Sequence, residues 1–331
     1  MKTMLSGVKP SGQLHLGNYI GALRNFVAYQ DDYQMIVFIA NLHCITVPQD
    51  PIELHTNLRD CIALYLACGL DPKKSIIFLQ SDVMAHAQLG FIIGCHTYLG
   101  ELNRMTQFKD KSSKGEQNLS SGFYTYPTLM ASDILIYDAD FVPVGEDQKQ
   151  HVELARDVAI RMNNRYGPLF KVPECLTAKV GARIMSLSDP LKKMSKSDRD
   201  GDKGCIYLLD PLDKARKKIM SAVTDSLASV RFDKENQPGV SNLLQILSAL
   251  TSEPIDSITN RYQSLGYGSL KKEVADAVCA TLEKIQSRYK EILASGLIES
   301  TLSDGAYRAK ILANAKLKLV QEKIGLEIET Q

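Results

Sequence analysis

Near its start the sequence reads KPSGQLHLGNYIGAL, which crowds Pro10, His15, Gly17 and Asn18 just ahead of an amphipathic pattern of helical period. The first N–H groups of a helix have no partner inside it, and the helix dipole favours negative charge at that end. Gly17 would let a ligand approach the backbone closely. Asn18 suits a helix cap or a donor to a phosphate oxygen, and His15 suits a donor that answers charge building in a transition state. The chemistry suggested is the binding and transfer of a phosphorylated group. The same residues also suit a Pro-Gly turn with an ordinary Asn cap and a surface histidine.

Two further stretches carry candidate chemistry. KKMSKSD, at 192–198, places Lys193 and Lys196 where a polyphosphate would need cations, with Ser195 and Ser197 as hydroxyl donors. A mobile loop of this kind closes over a substrate and neutralises charge that leaves as pyrophosphate. A solvated charged loop is the alternative. In LMASDILIY one acid, Asp133, interrupts an apolar helical run. A buried carboxylate needs a donor, and an acceptor-only group is a natural partner for an indole N–H. Met130, Val142 and Val144 are apolar neighbours fit to hold aromatic rings. Asp133 facing solvent, or pairing with an arginine, is the other reading.

These residues need a frame. TMLSGV, QMIVFIAN, SIIFLQS and DFVPVG read as short strands bounded by turn residues. Helical patterns lie between them at about 18–29, 51–68, 84–98, 128–137 and 148–165. Alternation of this kind implies a Rossmann-like, doubly wound parallel α/β sheet, with ligands at the carboxyl ends of its strands. After Gly204 the strands stop and helical runs follow, with caps expected at Asp210–Pro211 and at Ser300 or Ser303. The expected organisation is a catalytic domain over 1–204, carrying the 192–198 loop, and an all-helical domain over 205–331. The polar stretches 108–122 and 188–204 read as long loops.

The chain has 331 residues, a formal net charge of +1, 44% hydrophobic and 23% charged residues. That is ordinary for a globular protein with room for about two domains. No apolar run reaches membrane-span length, and the N-terminus has neither signal nor transit character. Seven scattered cysteines without a C-x-x-C pair fit reduced thiols in a cytosol. No metal-ligand spacing stands out, so no protein metal site is expected. The near-zero charge argues against a general basic coat but leaves room for a local patch.

Pro-x-x-x-x-His-x-Gly-Asn at 10–18, followed by Lys-Met-Ser-Lys-Ser at 193–197, resembles the paired nucleotide-binding motifs of class I aminoacyl-tRNA synthetases. VPVGEDQKQHVELARD, ELNRMTQFKDKS, TYPTLMASDILIYDAD and VGARIMSLSDPLKKMSKSD are similar to segments of the bacterial tryptophanyl group. The resemblance covers essentially the whole chain. It implies ATP-dependent ligation of L-tryptophan to tRNA(Trp) through a tryptophanyl-adenylate, by a cytoplasmic homodimer with no membrane association. It implies Mg²⁺ held mainly by ATP phosphates and water.

By the same resemblance His15, Asn18, Lys193 and Lys196 are transition-state contacts. ATP is expected to meet Lys9, Pro10, Ser11, Gly17, Asn18, Gly145, Glu146, Asp147, Ile184, Lys193, Met194, Ser195, Lys196 and Ser197. Gly145 and Asp147 are expected at the ribose and Ile184 along the adenine. Asp133 is expected at the indole N–H, with Leu5, His43, Tyr126, Met130, Val142 and Val144 around the amino acid and Gln148 on its ammonium or carboxylate. Lys9 stands where relatives often carry Gln, and Lys111 is a weaker phosphate candidate. The helical domain is expected to read the anticodon end, with Lys214, Arg216, Lys217 and Lys218 as a candidate RNA cluster. A tyrosyl-tRNA synthetase is the nearest alternative, because a phenol also seeks a carboxylate. Those relatives usually place a Tyr on the first strand, where this chain has Leu5. A small-cofactor nucleotidylyltransferase with a similar His-x-Gly turn is another alternative, although it would not explain the helical domain or KMSKS; a catalytically silent paralogue that binds tRNA or tryptophan is a third, although it would have no need of both lysines.

Overall fold

Short runs of β-branched and large apolar residues make the five strands. They are β1 (Thr3–Val8), β2 (Gln34–Ile39), β3 (Ser75–Leu79), β4 (Phe141–Pro143) and β5 (Glu174–Leu176). In the computed structural model the described residues are 1–10, 13–113, 119–145, 148–176, 183–195 and 203–328, with the side chains of 110–113 excepted. The sheet order is β3-β2-β1-β4-β5 and every pair is parallel. Thr3 lies opposite Gln34 and Val8 opposite Ile39, while Met4 lies opposite Phe141. The chain builds outward from β1 to β3, then crosses to the other side for β4 and β5. The switch point between β1 and β4 opens at the carboxyl edge, where doubly wound sheets place ligands.

Side chains alternate between the two faces of the sheet. Met4, Val8, Met35, Val37, Ile39 and Ile77 join one core, shared with the helical half through Leu243, Val274 and Val278. Leu5, Ile36, Phe38, Ile76 and Phe78 join the other, under the helices Ala85–Gly94, Ser121–Leu135 and Lys149–Tyr166. Both faces are covered, which is why the strands read as nearly continuous apolar runs.

The structure departs from the sequence reading in several places. β5 was not expected: its three residues, Glu174, Cys175 and Leu176, give no run to recognise. The stretch 108–122 is not one loop, since a helix covers Thr106–Ser113 and the next begins at Ser121. That next helix runs straight through Pro127, the residue that sets its expected start at 128. Ser120 caps it by accepting from Phe123 N at 3.1 Å. The last helix is Leu297–Ile324, so Ser300 and Ser303 lie inside it and cap nothing. Gly296, at φ 69°, turns the chain into it instead.

The halves 1–204 and 205–331 share cores. The final helix carries a buried stripe of Gly305, Ala306, Ala309 and Ala313 onto the sheet. A Cβ on Gly305 would stand 1.8 Å from Ile77 O and 3.1 Å from Ile77 N, so the helix lies against the backbone of the edge strand β3. That covers a sheet edge that would otherwise be open. Gly305→Ala is expected to destabilise the protein by about 1–3 kcal/mol or more, because strand backbone cannot yield as a side chain can. Gly268→Ala, also in a helix but facing open space, is expected to raise stability slightly. Thermal midpoints of the two variants check the contrast.

Candidate active site

The segment after β1 is fixed before any ligand arrives. Leu16 N donates to Ile206 O at 2.8 Å and Leu208 N donates to Leu14 O at 2.9 Å. His15 pairs with Tyr207 as an antiparallel bridge. Residues 14–16 are thus stapled to 206–208, just beyond the lysine-rich loop. His15 is buried and takes the N-cap position of the helix Leu16–Asn18. His15 N donates to Asn18 Oδ1 at 3.1 Å. This bond fixes the Asn18 amide, so its Nδ2 hydrogens are the donors left for a ligand. A Cβ on Gly17 would press on the His15 ring at 3.1 Å, tighter than an ordinary contact, and would touch Ile184 Cβ at 3.7 Å. A π-turn, Tyr19–Leu23, follows at once, a distortion common beside functional sites.

Ile184 links the two signature segments. It is buried in the same core as Leu16 and Ile20, with its Cβ 3.7 Å from where a Cβ on Gly17 would stand. Its carbonyl accepts from Met194 N at 3.0 Å, Met185 bridges Lys193, and Ser186 N donates to Lys192 O at 2.8 Å. Met194 is buried, whereas Lys193 is exposed at the same turn. Asn242 of the helix Pro238–Thr251 clamps Met185, accepting from its N at 2.8 Å and donating to its O at 2.9 Å. The structure therefore brings His15, Gly17, Asn18, Ile184, Lys193 and Met194 to one end of the sheet. Ser195 is half-buried at the end of that turn, Pro10 is buried after β1, and Lys9 is exposed. Ser11, Glu146, Asp147, Lys196, Ser197 and the side chain of Lys111 lie outside the described residues. Gly145 is exposed after β4, where its carbonyl accepts from Gln148 N at 3.0 Å.

A second group forms beside the first. Leu5 of β1 and Val142 of β4 are buried in one core, against which Met130 and Val144 pack. Asp133, in the middle of the helix Ser121–Leu135, is 0% exposed. Its Oδ1 accepts from Gln80 Nε2 and from His86 Nδ1, both at 2.7 Å, and its Oδ2 lies 2.8 Å from His43 Nε2. The His43 ring stands edge-on to Tyr126, 6.1 Å between centroids. The Tyr126 hydroxyl lies 2.8 Å from Gln107 Oε1 and 2.6 Å from His151 Nε2. Donation to Gln107 makes His151 the donor to the tyrosine oxygen. Burial pushes the Tyr126 hydroxyl up to about 12, so it stays protonated.

The sequence pattern leaves Asp133 open between burial and solvent; the structure buries it and supplies partners the pattern does not name. Gln80 ends the strand segment SIIFLQS and His86 opens a helix, and neither was singled out. A glutamine closing an apolar strand is the signal that was there to find. The basic cluster also changes meaning. Lys218 is buried and pairs with Asp210 at 2.8 Å, Lys214 reaches the same carboxylate at 3.4 Å, and Arg216 pairs with Asp276 at 2.7 Å. The two lysines thus tie their helix, Leu212–Met220, to the turn just before it, while Arg216 joins it to the helix Gly266–Ala294; among the described residues Lys217 has no such acid.

Fold and site together define a doubly wound α/β core built to hold a phosphorylated ligand beside a small buried acceptor. The model of a family described as class I tRNA synthetases (W and Y) matches residues 1–283, and the chain belongs to that family. The tryptophan–tRNA ligase of Malacoplasma penetrans is 53% identical over 331 residues, covering 98% of both chains. Among solved structures, tryptophanyl-tRNA synthetase from Mycoplasma pneumoniae superposes with a TM-score of 0.88 at 41% identity, covering 99% of this chain and 98% of that one. The enzyme from Campylobacter jejuni, complexed with ADP and tryptophan, gives 0.84 at 36% identity, covering 98% and 99%.

The Asp133 carboxyl sits at about 2. Burial pushes it up, and the hydrogen bonds and charge of His43 and His86 more than reverse that. A lowered carboxyl stabilises the fold fully above the ordinary value near about 4 and loses that contribution as pH falls toward about 2. Asp133→Asn is therefore expected to be less stable than the wild type at pH 7, with the gap closing between about pH 4 and pH 2. Denaturant midpoints across that range check it.

Proposed function

We propose that this chain ligates L-tryptophan to tRNA(Trp) in two ATP-dependent steps. The tryptophan carboxylate attacks the α-phosphorus, forming a new O–P bond while the bond to the pyrophosphate leaving group breaks. The terminal 2′-hydroxyl of the tRNA then attacks the acyl carbon and AMP leaves. The protein acts by positioning and by offering donors where charge grows. His15, the Asn18 Nδ2 hydrogens and Lys193 are the described donors at the nucleotide end, and Lys196 would add a second cation. Gly145, Glu146 and Asp147 would meet the ribose, and Ile184 the adenine. Mg²⁺ enters with ATP, and phosphate and water oxygens suffice to hold it.

The observation that carries the tryptophan reading is Asp133: an ionised, fully buried and braced acceptor on a helix whose Ala131 and Ile134 share one core with Leu5 and Val142, against which Met130 and Val144 pack. Tyr126 and Gln148 would meet the amino acid's polar end. The family match and the Campylobacter structure support the same reading. The helical half, 205–331, would take the anticodon end of the tRNA. A cytoplasmic setting fits the free cysteines, and among the described residues no helix is long and apolar enough to cross a membrane.

We further propose a homodimer. A groove of about 800 Å³ opens between the helices Ala85–Gly94 and Ser121–Leu135, lined by Ala87, Gly90, Phe91, Leu99 and Leu129. Phe91 is 76% exposed and Leu99 69%. A second copy covering this face accounts for apolar surface that a monomer rarely shows.

ATP–pyrophosphate exchange tests the ligase reading. Exchange should depend on tryptophan and not on tyrosine, and the reverse preference would refute it. Asn18→Ala is expected to lower kcat for exchange by about 10²-fold, the usual effect of losing one transition-state donor. Phe91→Glu is expected to turn a dimer into a monomer by light scattering.

A further inference from the structure

A carboxylate that reads a ligand must keep a lone pair free in a fixed direction. Asp133 divides its two oxygens unequally. Oδ1 has two donors on it, Gln80 Nε2 and His86 Nδ1, each at 2.7 Å. Two donors fill the lone pairs of one carboxylate oxygen. Oδ2 has the single bond from His43 Nε2 at 2.8 Å. Gln80 and His86 are fully buried, whereas His43 is half-buried.

We propose that Gln80 and His86 are positioning residues for amino-acid selection: they pin Oδ1, and so aim the remaining Oδ2 lone pair at the side-chain N–H of the substrate. The proposal rests on Asp133 being the indole acceptor.

Each partner is itself held in place. The carboxylate only accepts, so His86 presents an N–H on Nδ1. Tyr137 Oη lies 2.7 Å from Nε2, so both ring nitrogens are engaged. Burial, together with the charge of Asp133, raises the Tyr137 hydroxyl and keeps it protonated. The His86 ring is walled by Phe38, Phe78 and Tyr137, with centroids 5.8, 5.9 and 5.4 Å away. Ser132 Oγ donates to His86 O at 2.7 Å, so adjacent residues of one helix grip both the backbone and the ring.

Gln80 shows the same commitment. Its Nε2 must face the carboxylate, which leaves Oε1 buried with no hydrogen-bond partner. Keeping an amide there at that cost makes sense for its donor. The turn that presents it is braced by Asn41, which accepts from Ser81 N at 3.1 Å and donates to Ser81 Oγ at 2.7 Å.

The test compares tryptophan with 3-benzothienyl-alanine, in which sulfur replaces the N–H at nearly equal size, in ATP–pyrophosphate exchange by the full-length protein. The variants are Gln80→Met, His86→Leu and His86→Asn, the last keeping an N–H near the position of Nδ1. Gln80→Met and His86→Leu are expected to raise KM for tryptophan about 10- to 100-fold, as loss of a buried bond to a charged group does. KM for ATP should stay within about 2-fold, and the preference for tryptophan over the sulfur analogue should shrink in step. His86→Asn should recover most of both. Tyr137→Phe, which leaves the ring in place, gives a milder version if His86→Leu does not fold. A fall in kcat with KM and the tryptophan preference unchanged would make Gln80 and His86 ordinary core residues and overturn the proposal. A wild-type protein that fails to prefer tryptophan over the analogue would instead overturn the reading of Asp133, and this proposal with it.

Discussion

The site depends on keeping one charge in a place with no water. An ionised carboxylate at full burial is tolerated only when donors surround it. For Asp133 those donors come from three separate pieces of chain: His43 just past β2, Gln80 just past β3, and His86 on the helix Ala85–Gly94. The acid sits on a fourth piece, Ser121–Leu135. The strand ends and two helices must therefore agree in register before the charge is stable. The parallel register of β2 with β3, Ile39 opposite Leu79, puts the His43 and Gln80 segments at one edge. The alternation of the strands then puts Phe38 and Phe78 on the same face as the His86 ring.

The nucleotide side is built differently. There the backbone does the joining: 14–16 to 206–208, and 184–186 to 192–194. Main-chain bonds fix the position of both segments, whatever the side chains of His15 and Lys193 then do. Met194 anchors the lysine-rich turn by burying its own side chain between two polar neighbours. Asn242, from the helical half, holds the backbone of Met185 in both directions. That clamp ties the helical half to the catalytic end through one amide.

What the sequence disclosed follows from where the determining contacts lie. β1 was legible residue for residue, because its pattern and its boundaries are local. The same holds for the helix Lys149–Tyr166, expected at 148–165. β5 was not legible, since three residues become a strand only by pairing with β4. The helix through Pro127 hid behind a rule about single residues, while burial of Phe123, Pro127 and Ala131 decided the outcome. The acidic partners of Lys214, Arg216 and Lys218 were hidden for a related reason. Asp210 is only eight residues from Lys218, but Asp276 is on another helix altogether. Motifs gave the reacting groups; the residues that hold them still, Gln80, His86 and Asn242, come from three-dimensional neighbours.

On the proposed reading of Asp133, the choice of amino acid turns on donor count. An indole offers one hydrogen to a site and asks for nothing back, whereas a phenol oxygen both donates and accepts. Oδ2 of Asp133 satisfies the first demand in either case. A phenol in the same place would also need a donor for its own oxygen, and Leu5 and Val142, both buried and apolar, supply none. A buried acceptor left without a partner loses roughly 1–3 kcal/mol, about 5- to 150-fold in binding. Discrimination of this kind operates at binding. It also explains why the charge must be immobile: a carboxylate free to rotate could turn toward a phenol as readily as toward an indole, and the selectivity would go with it.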